Sequence, residues 1–180
     1  MKHNFCHKLI GMLPPALMRE LKNVVARPNY KTTPDFHPNV IQIKAISPDY
    51  SAEEDVLVMD KFYAHMGKYF RFSGHMGTNI ARMEPTSYVS EHDDYGAAVY
   101  GTRQDSIIKL QIPIITTDRV GMMWRGDKNY PPTIVHMVEG GIYIIDNVKV
   151  HSVVNMGTEY RYNLTSRWHL DSIIDPTLAN

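Results

Sequence analysis

Among 180 residues, 19 Lys and Arg balance 19 Asp and Glu, and 43% of the side chains are hydrophobic. This length fits a single domain, 1–180, with a substantial core. The charge balance lacks the basic excess of a nucleic-acid binder, and the apolar content excludes a disordered chain. One cysteine, Cys6, excludes an internal disulfide framework or a Cys-cluster zinc site and suits a reducing, cytoplasmic compartment. No run reaches the ~18 apolar residues of a membrane span, so no membrane partner is expected. The N-terminal stretch, broken at Pro14-Pro15, makes a poor signal peptide.

Residues 1–75 read as helical support. In LPPALMRELKNVV, Pro15 opens a helix with Leu17, Leu21 and Val24 or Val25 on one face. A proline-rich loop follows, with a short strand in 40–46. Ser51 to Glu54 resembles a capping box, after which Val56, Met59, Phe62 and Tyr63 recur at helical spacing. From residue 78 the texture changes to short runs rich in Ile, Val, Tyr and Thr, at 79–90, 95–101, 106–116, 119–125, 133–138, 141–146, 149–154 and 160–168. Gly, Asn and Pro separate them. The spacing predicts an antiparallel barrel or jelly roll over 78–170, and the helices ahead of it make the chain α+β, mainly β.

His92 and Asp94 stand two apart in SEHDDYG, so in extended backbone their side chains leave the same face. His151 lies in a strand near the far end of the β region. Two imidazoles and a carboxylate on one face of a divalent iron leave the opposite face for substrate and dioxygen. A His-x-Asp pair by itself equally suits a surface or hydrogen-bonded role. Arg161 adds to the pattern, because a hairpin centred on Met156 would set it directly across from His151. A guanidinium there is suited to gripping a carboxylate through two parallel hydrogen bonds. Asn163 and Thr165 share its face, as a polar lumen or a row facing water, while Tyr162, Leu164 and Trp168 take the other. In DSIIKLQIPII, Ile108, Leu110, Ile112 and Ile114 share one face, and Lys109 and Gln111 the other. Lys109 fits either a solvated edge or a second cation beside Arg161.

On these residues the sequence resembles the aspartyl/asparaginyl β-hydroxylase family, oxygenases dependent on Fe(II) and 2-oxoglutarate and built on a double-stranded β-helix. The likeness covers about half of the chain, through EPTSYVSEHDD, IIKLQIPI, VEGGIYIIDNVKVHSVVNMG and YRYNLTSRWH. It implies a cupin-like jelly roll with the N-terminal helices packed outside. It also implies that His92, Asp94 and His151 ligate Fe(II), and that Arg161 holds the distal carboxylate of 2-oxoglutarate. Lys109 and Gln111 stand where the family often carries Arg-x-His against the same cosubstrate. The implied reaction consumes O2, hydroxylates an unactivated C–H bond and releases succinate and CO2, with an amino acid or a peptide or protein side chain as substrate. The stretch GAAVYGTRQDS, longer than in the family, suggests a lid or part of a substrate pocket.

Arg103, Arg119, Trp124 and Arg125 are candidate substrate contacts, Trp124 with the alternative of a core position. His136 is the rival distal ligand, but ten residues beyond it stands Asp146 rather than an arginine. His75 sits in a glycine-flanked loop that either borders a pocket or is simply polar. His3, His7, His37 and His65 are expected at the surface or in local hydrogen bonds. Two other readings use the same residues. One is a cupin-like barrel that binds a metal or small molecule without redox chemistry and has no need of Arg161. The other is a zinc hydrolase built on the same trio. Oligomeric state is left open by the sequence.

Overall fold

The structure, a computed structural model, describes residues 6–27, 33–34, 40–45, 53–94, 106–126, 131–175 and 178. Helix α1 (Pro15–Ala26) opens on Pro15, whose missing N–H costs nothing in the first turn. It buries Leu17, Met18, Leu21, Val24 and Val25 along one stripe. It ends at Arg27, which is extended, as a residue before proline must be. Helix α2 (Glu53–Met66) carries Glu53, Glu54 and Asp55 in its first turn, where the helix dipole favours negative charge. Its buried stripe runs through Val58, Met59, Phe62 and Met66, with Val56 and Tyr63 half-buried beside it. The capping residues expected at 51–52 lie outside the described residues.

Two antiparallel sheets make the rest. The larger takes, in spatial order, β1 (His7–Met12), β9 (Gly141–Ile145), β6 (Ile107–Ile115), β11 (Arg161–His169), β4 (His75–Met83), β3 (Val40–Ala45) and β2 (Thr33–Pro34). The smaller takes β5 (Ser87–His92), β10 (His151–Asn155), β7 (Val120–Trp124) and β8 (Thr133–Val135). From β4 to β11 every connection except β7 to β8 passes between the sheets, which is the weave of a double-stranded β-helix. No helix among the described residues is long and apolar enough to cross a membrane.

The period-two alternation of β6 and β11 decides what faces what. Ile108, Leu110, Ile112, Ile114, Leu164 and Trp168 join Ile142, Ile144 and both helices in the main apolar cluster, on the outer face of the larger sheet. Each such residue, fully buried, contributes roughly 1.5–3 kcal/mol. Lys109, Gln111, Arg161, Asn163 and Thr165 are thereby turned into the space between the sheets. Smaller apolar clusters close that space, one from Met122, Trp124, Met137, Tyr143 and Ile145, another from Met83 and Val89.

Three expectations are corrected. The strand expected over 79–90 is two strands, because Thr86 at φ 48° turns the chain out of β4 and into the other sheet as β5. β1 and β2 form strands where no strand was expected and join the larger sheet beside β3, the short strand expected in 40–46. β1 is an edge strand whose side chains are half-buried or exposed, so backbone pairing with β9 holds it without an alternating apolar pattern. Finally, no hairpin joins β10 to β11. His151 pairs with His92 and Trp124 in the smaller sheet, whereas Arg161 stands opposite Met83 in the larger one. The stretch 95–101 lies outside the described residues.

Asn155 explains the missing hairpin. Its side chain is 1% exposed. It accepts from Gly157 N–H at 3.1 Å and donates to the carbonyls of Glu159 at 2.9 Å and Glu84 at 3.0 Å. This winds residues 156–160 into a crossover and ties it to the β4–β5 corner. Thr86 N–H adds a bond to Gly157 O, and Met156 N–H one to Arg119 O in the β6–β7 corner. Asn155→Ala strips three backbone groups, that of Gly157 fully buried, of their partner. It is expected to lower stability by about 2–4 kcal/mol, read as a lower urea midpoint with an unchanged slope.

Candidate metal and carboxylate site

At the end of the sandwich away from these corners, His92, Asp94 and His151 converge. One ligand atom from each lies within 4.8 Å of the others. The two imidazole centroids are 4.4 Å apart, and His92 Nε2 is 3.9 Å from Asp94 Oδ1. Bonds of about 2.0–2.2 Å to one ion place ligand atoms roughly 3–4 Å apart, so small side-chain movements suffice. The arrangement follows from register, since His92 and His151 are direct cross-strand partners in the smaller sheet. The Asp94 N–H donates to Asn147 O, fixing the residue that follows the strand.

Both histidines are oriented the same way. His92 Nδ1 lies 2.7 Å from Ser90 O, and His151 Nδ1 lies 2.8 Å from Lys149 O. In each case the carbonyl two residues earlier takes the Nδ1 proton and leaves the Nε2 lone pair for an ion. Burial, reinforced by the Lys109 charge, holds the His151 imidazole down to about 4, so it is neutral and ready to ligate at neutral pH. Burial alone would raise the Asp94 carboxyl. The Lys109 ammonium, 2.6 Å from Oδ2, and the two histidines outweigh it and hold the group below its usual range.

Lys109 is only 9% exposed, so it is no solvated edge residue. Gln111, next on the same face, accepts from Asn163 Nδ2. Asn163 in turn accepts a long 3.4 Å bond from Arg161 Nη2. Arg161 is 7% exposed, and burial pushes its guanidinium down to about 10. Among the described residues no carboxylate lies within ion-pair distance of it, and its Nε and Asn79 Oδ1 are buried without a hydrogen-bond partner. Arg161 thus lies towards the corner end of the cage and the trio towards the other. A buried cation needs a counter-ion, and a dicarboxylate held at one end by an ion could offer its other carboxylate to Arg161.

The remaining candidates are dispersed. Trp124 is buried beside His151, its ring 6.5 Å away, and its Nε1 donates to Asp146 O. Arg125 is exposed and 3.8 Å from Glu91, and Arg119 is exposed in the far corner. Arg103 and most of the GAAVYGTRQDS stretch lie outside the described residues. His136, the rival ligand, is exposed and turned to Val120 O. His75 packs on Tyr63 and Trp168 at the outer face. His7, expected at the surface, stands on β1 and stacks on Trp124 at 5.6 Å. The signal for His7 lay in a strand too short and irregular to see. Asn79 was legible only as one polar residue in a strand.

No protein-family model and no curated protein matches the sequence. Solved structures do match by shape. A prolyl-4-hydroxylase from Pseudomonas putida has TM-score 0.63 at 17% identity, over 92% of this chain and 93% of that one. HygX from Streptomyces hygroscopicus, solved with nickel and 2-oxoglutarate bound, has TM-score 0.63 at 12% identity, over 91% and 82%. An oxidoreductase of the 2OG-Fe(II) oxygenase family from Burkholderia pseudomallei has TM-score 0.57 at 15% identity, over 88% and 83%. The chain has the fold of these oxygenases. At such identities the likeness is one of architecture, and the chemistry has to be argued from the side chains.

The fold keeps His151 neutral, so the associated stability is complete above pH 6.5 and is lost as the pH falls from there towards 4. In metal-free protein the loss amounts to at most roughly 3 kcal/mol. His151→Gln is expected to flatten the urea midpoint against pH across that window.

Proposed function

We propose that this chain is an Fe(II)- and 2-oxoglutarate-dependent oxygenase that hydroxylates an unactivated C–H bond of an amino acid or a peptidyl side chain, releasing succinate and CO2. The observation that carries the reading is Arg161, a buried guanidinium with no carboxylate partner among the described residues, enclosed in the same cage as a His, Asp and His trio. A barrel that merely holds a metal has no use for it. The donor set fits iron, because two neutral imidazoles and one carboxylate on one side leave the other side of the ion open. The order His92-x-Asp94, His151, Arg161 supports placement near the aspartyl/asparaginyl β-hydroxylases within the wider group. The single cysteine supports a cytoplasmic location.

In this reading His92, Asp94 and His151 hold the iron, which supplies, together with 2-oxoglutarate and O2, the oxidising power for C–H cleavage. The two backbone carbonyls behind the histidines set the direction of their lone pairs. Arg161 fixes the far carboxylate of the cosubstrate, and Asn163 and Gln111 hold the guanidinium in place by hydrogen bonding along the cage floor. Lys109 keeps Asp94 ionised, so the ligand carries its negative charge before metal arrives. Trp124, Tyr143 and Ile145 exclude water from one flank.

Anaerobic protein given Fe(II) and 2-oxoglutarate is expected to show a weak visible charge-transfer band. His151→Ala should abolish the band. Arg161→Ala should keep metal binding but weaken 2-oxoglutarate binding at least about tenfold, in line with the loss of a charged hydrogen-bonded pair. A wild-type protein with neither the band nor 2-oxoglutarate-dependent succinate formation would overturn the assignment.

A further inference from the structure

The inner face of β11 carries one more cation than the proposed chemistry uses. Alternation along the strand sends Arg161, Asn163, Thr165 and Arg167 inward, and the regular pairing with β6 sets Arg167 directly opposite Lys109. Lys109 reaches Asp94 Oδ2 at 2.6 Å, so Arg167 stands at the trio's end of the cage, three inward positions from Arg161. It is half-buried, and among the described residues it has no ion pair or hydrogen-bonded side-chain partner. Like charges directly opposite on one face of a sheet repel. Asp94, the carboxylate that Lys109 contacts, is proposed as a metal ligand.

The other side of Arg167 is open. Its partner on β4 is Gly77, which has φ +143° and no side chain, and a Cβ built there meets nothing within 4 Å. A half-buried guanidinium at the trio's end of the cage therefore has an ammonium on its β6 side and open space on its β4 side. From this we infer that Arg167, backed by Lys109 and open on the side of Gly77, is the site that binds a carboxylate of the substrate. The planar fork of the guanidinium matches a carboxylate with two parallel hydrogen bonds. Binding there would neutralise the cross-strand repulsion and hold the substrate at the trio's end, leaving Arg161 to the cosubstrate. The inference rests on the oxygenase reading and names its substrate class: acids, and among amino acids the α-carboxylate forms rather than their amides.

The test uses the full chain loaded with Mn(II) and saturating 2-oxoglutarate, so that the Arg161 end is filled. The twenty amino acids and their C-terminal amides are added as probes, and thermal stability is read, since a ligand bound only by the folded state raises it. At least one acid is expected to stabilise the protein, with its amide at least about tenfold weaker. Arg167→Gln should lose the response to that acid by at least about tenfold, and Arg167→Lys should keep part of it. Stabilisation by Mn(II) and 2-oxoglutarate should be the same in wild type and both variants. The subsite is overturned if no acid outperforms its amide, if Arg167→Gln responds to acids as wild type does, or if that variant loses its response to 2-oxoglutarate. Should Arg167→Gln fail to fold, the acid-to-amide contrast in wild type and Arg167→Lys decides the matter by the same criteria. Failure of Mn(II) and 2-oxoglutarate to stabilise wild type at all instead sinks the oxygenase reading, and the two failures are distinct.

Discussion

A guanidinium enclosed between two sheets without a carboxylate is expensive to fold around, because desolvation penalises the charge and a long bond to Asn163 offsets little of the loss. The architecture tolerates Arg161 because the main apolar cluster lies elsewhere. Leu110, Ile112, Ile142, Leu164 and Trp168 pack against α1 and α2 on the outer face of the larger sheet. With stability secured there, the inner face is free to be polar. A β-sandwich that relied on its interior for cohesion would have no room for Arg161, Asn163, Thr165, Gln111 and Lys109 in one cavity.

How the polar groups reach that cavity is a matter of weaving rather than proximity in sequence. Because successive strands pass from one sheet to the other, His151 and Arg161 face each other's sheet from opposite walls and from opposite ends. A hairpin would have put the two side by side, with the guanidinium crowded against the trio. The crossover wound by Asn155 instead puts them on different sheets.

The strong patterns in the sequence carried much of this. The alternation in IIKLQIPI and in RYNLTSRW separated the two faces of each strand correctly while leaving open whether the polar face met water or a cavity, and the α1 stripe of Leu17, Leu21 and Val24 is buried as its spacing requires. His92 and Asp94 were legible as a pair from their two-residue spacing, although β5 ends at His92 and the bond from Asp94 N–H to Asn147 O fixes the second residue beyond it. The partnership of His151 with His92 was not, since register between distant strands leaves no local trace. The supposed hairpin failed for a physical reason. Asn155 in a turn-like sequence used its side chain to bond three backbone groups across two corners, a role that depends on residues 84 and 159. β1 escaped notice because an edge strand is held by its main chain, and its side chains are under little pressure to alternate.

The clamps on His92 and His151 have the same character. In both, the group that points the imidazole is a carbonyl, at Ser90 and at Lys149. Any residue at those two positions supplies the same acceptor as long as the strand stays extended. Substitutions at Ser90 and Lys149 can therefore alter the charge and shape around the trio, while the tautomer of each imidazole is set by the backbone. The direction of the two Nε2 lone pairs thus does not depend on which side chains stand beside them.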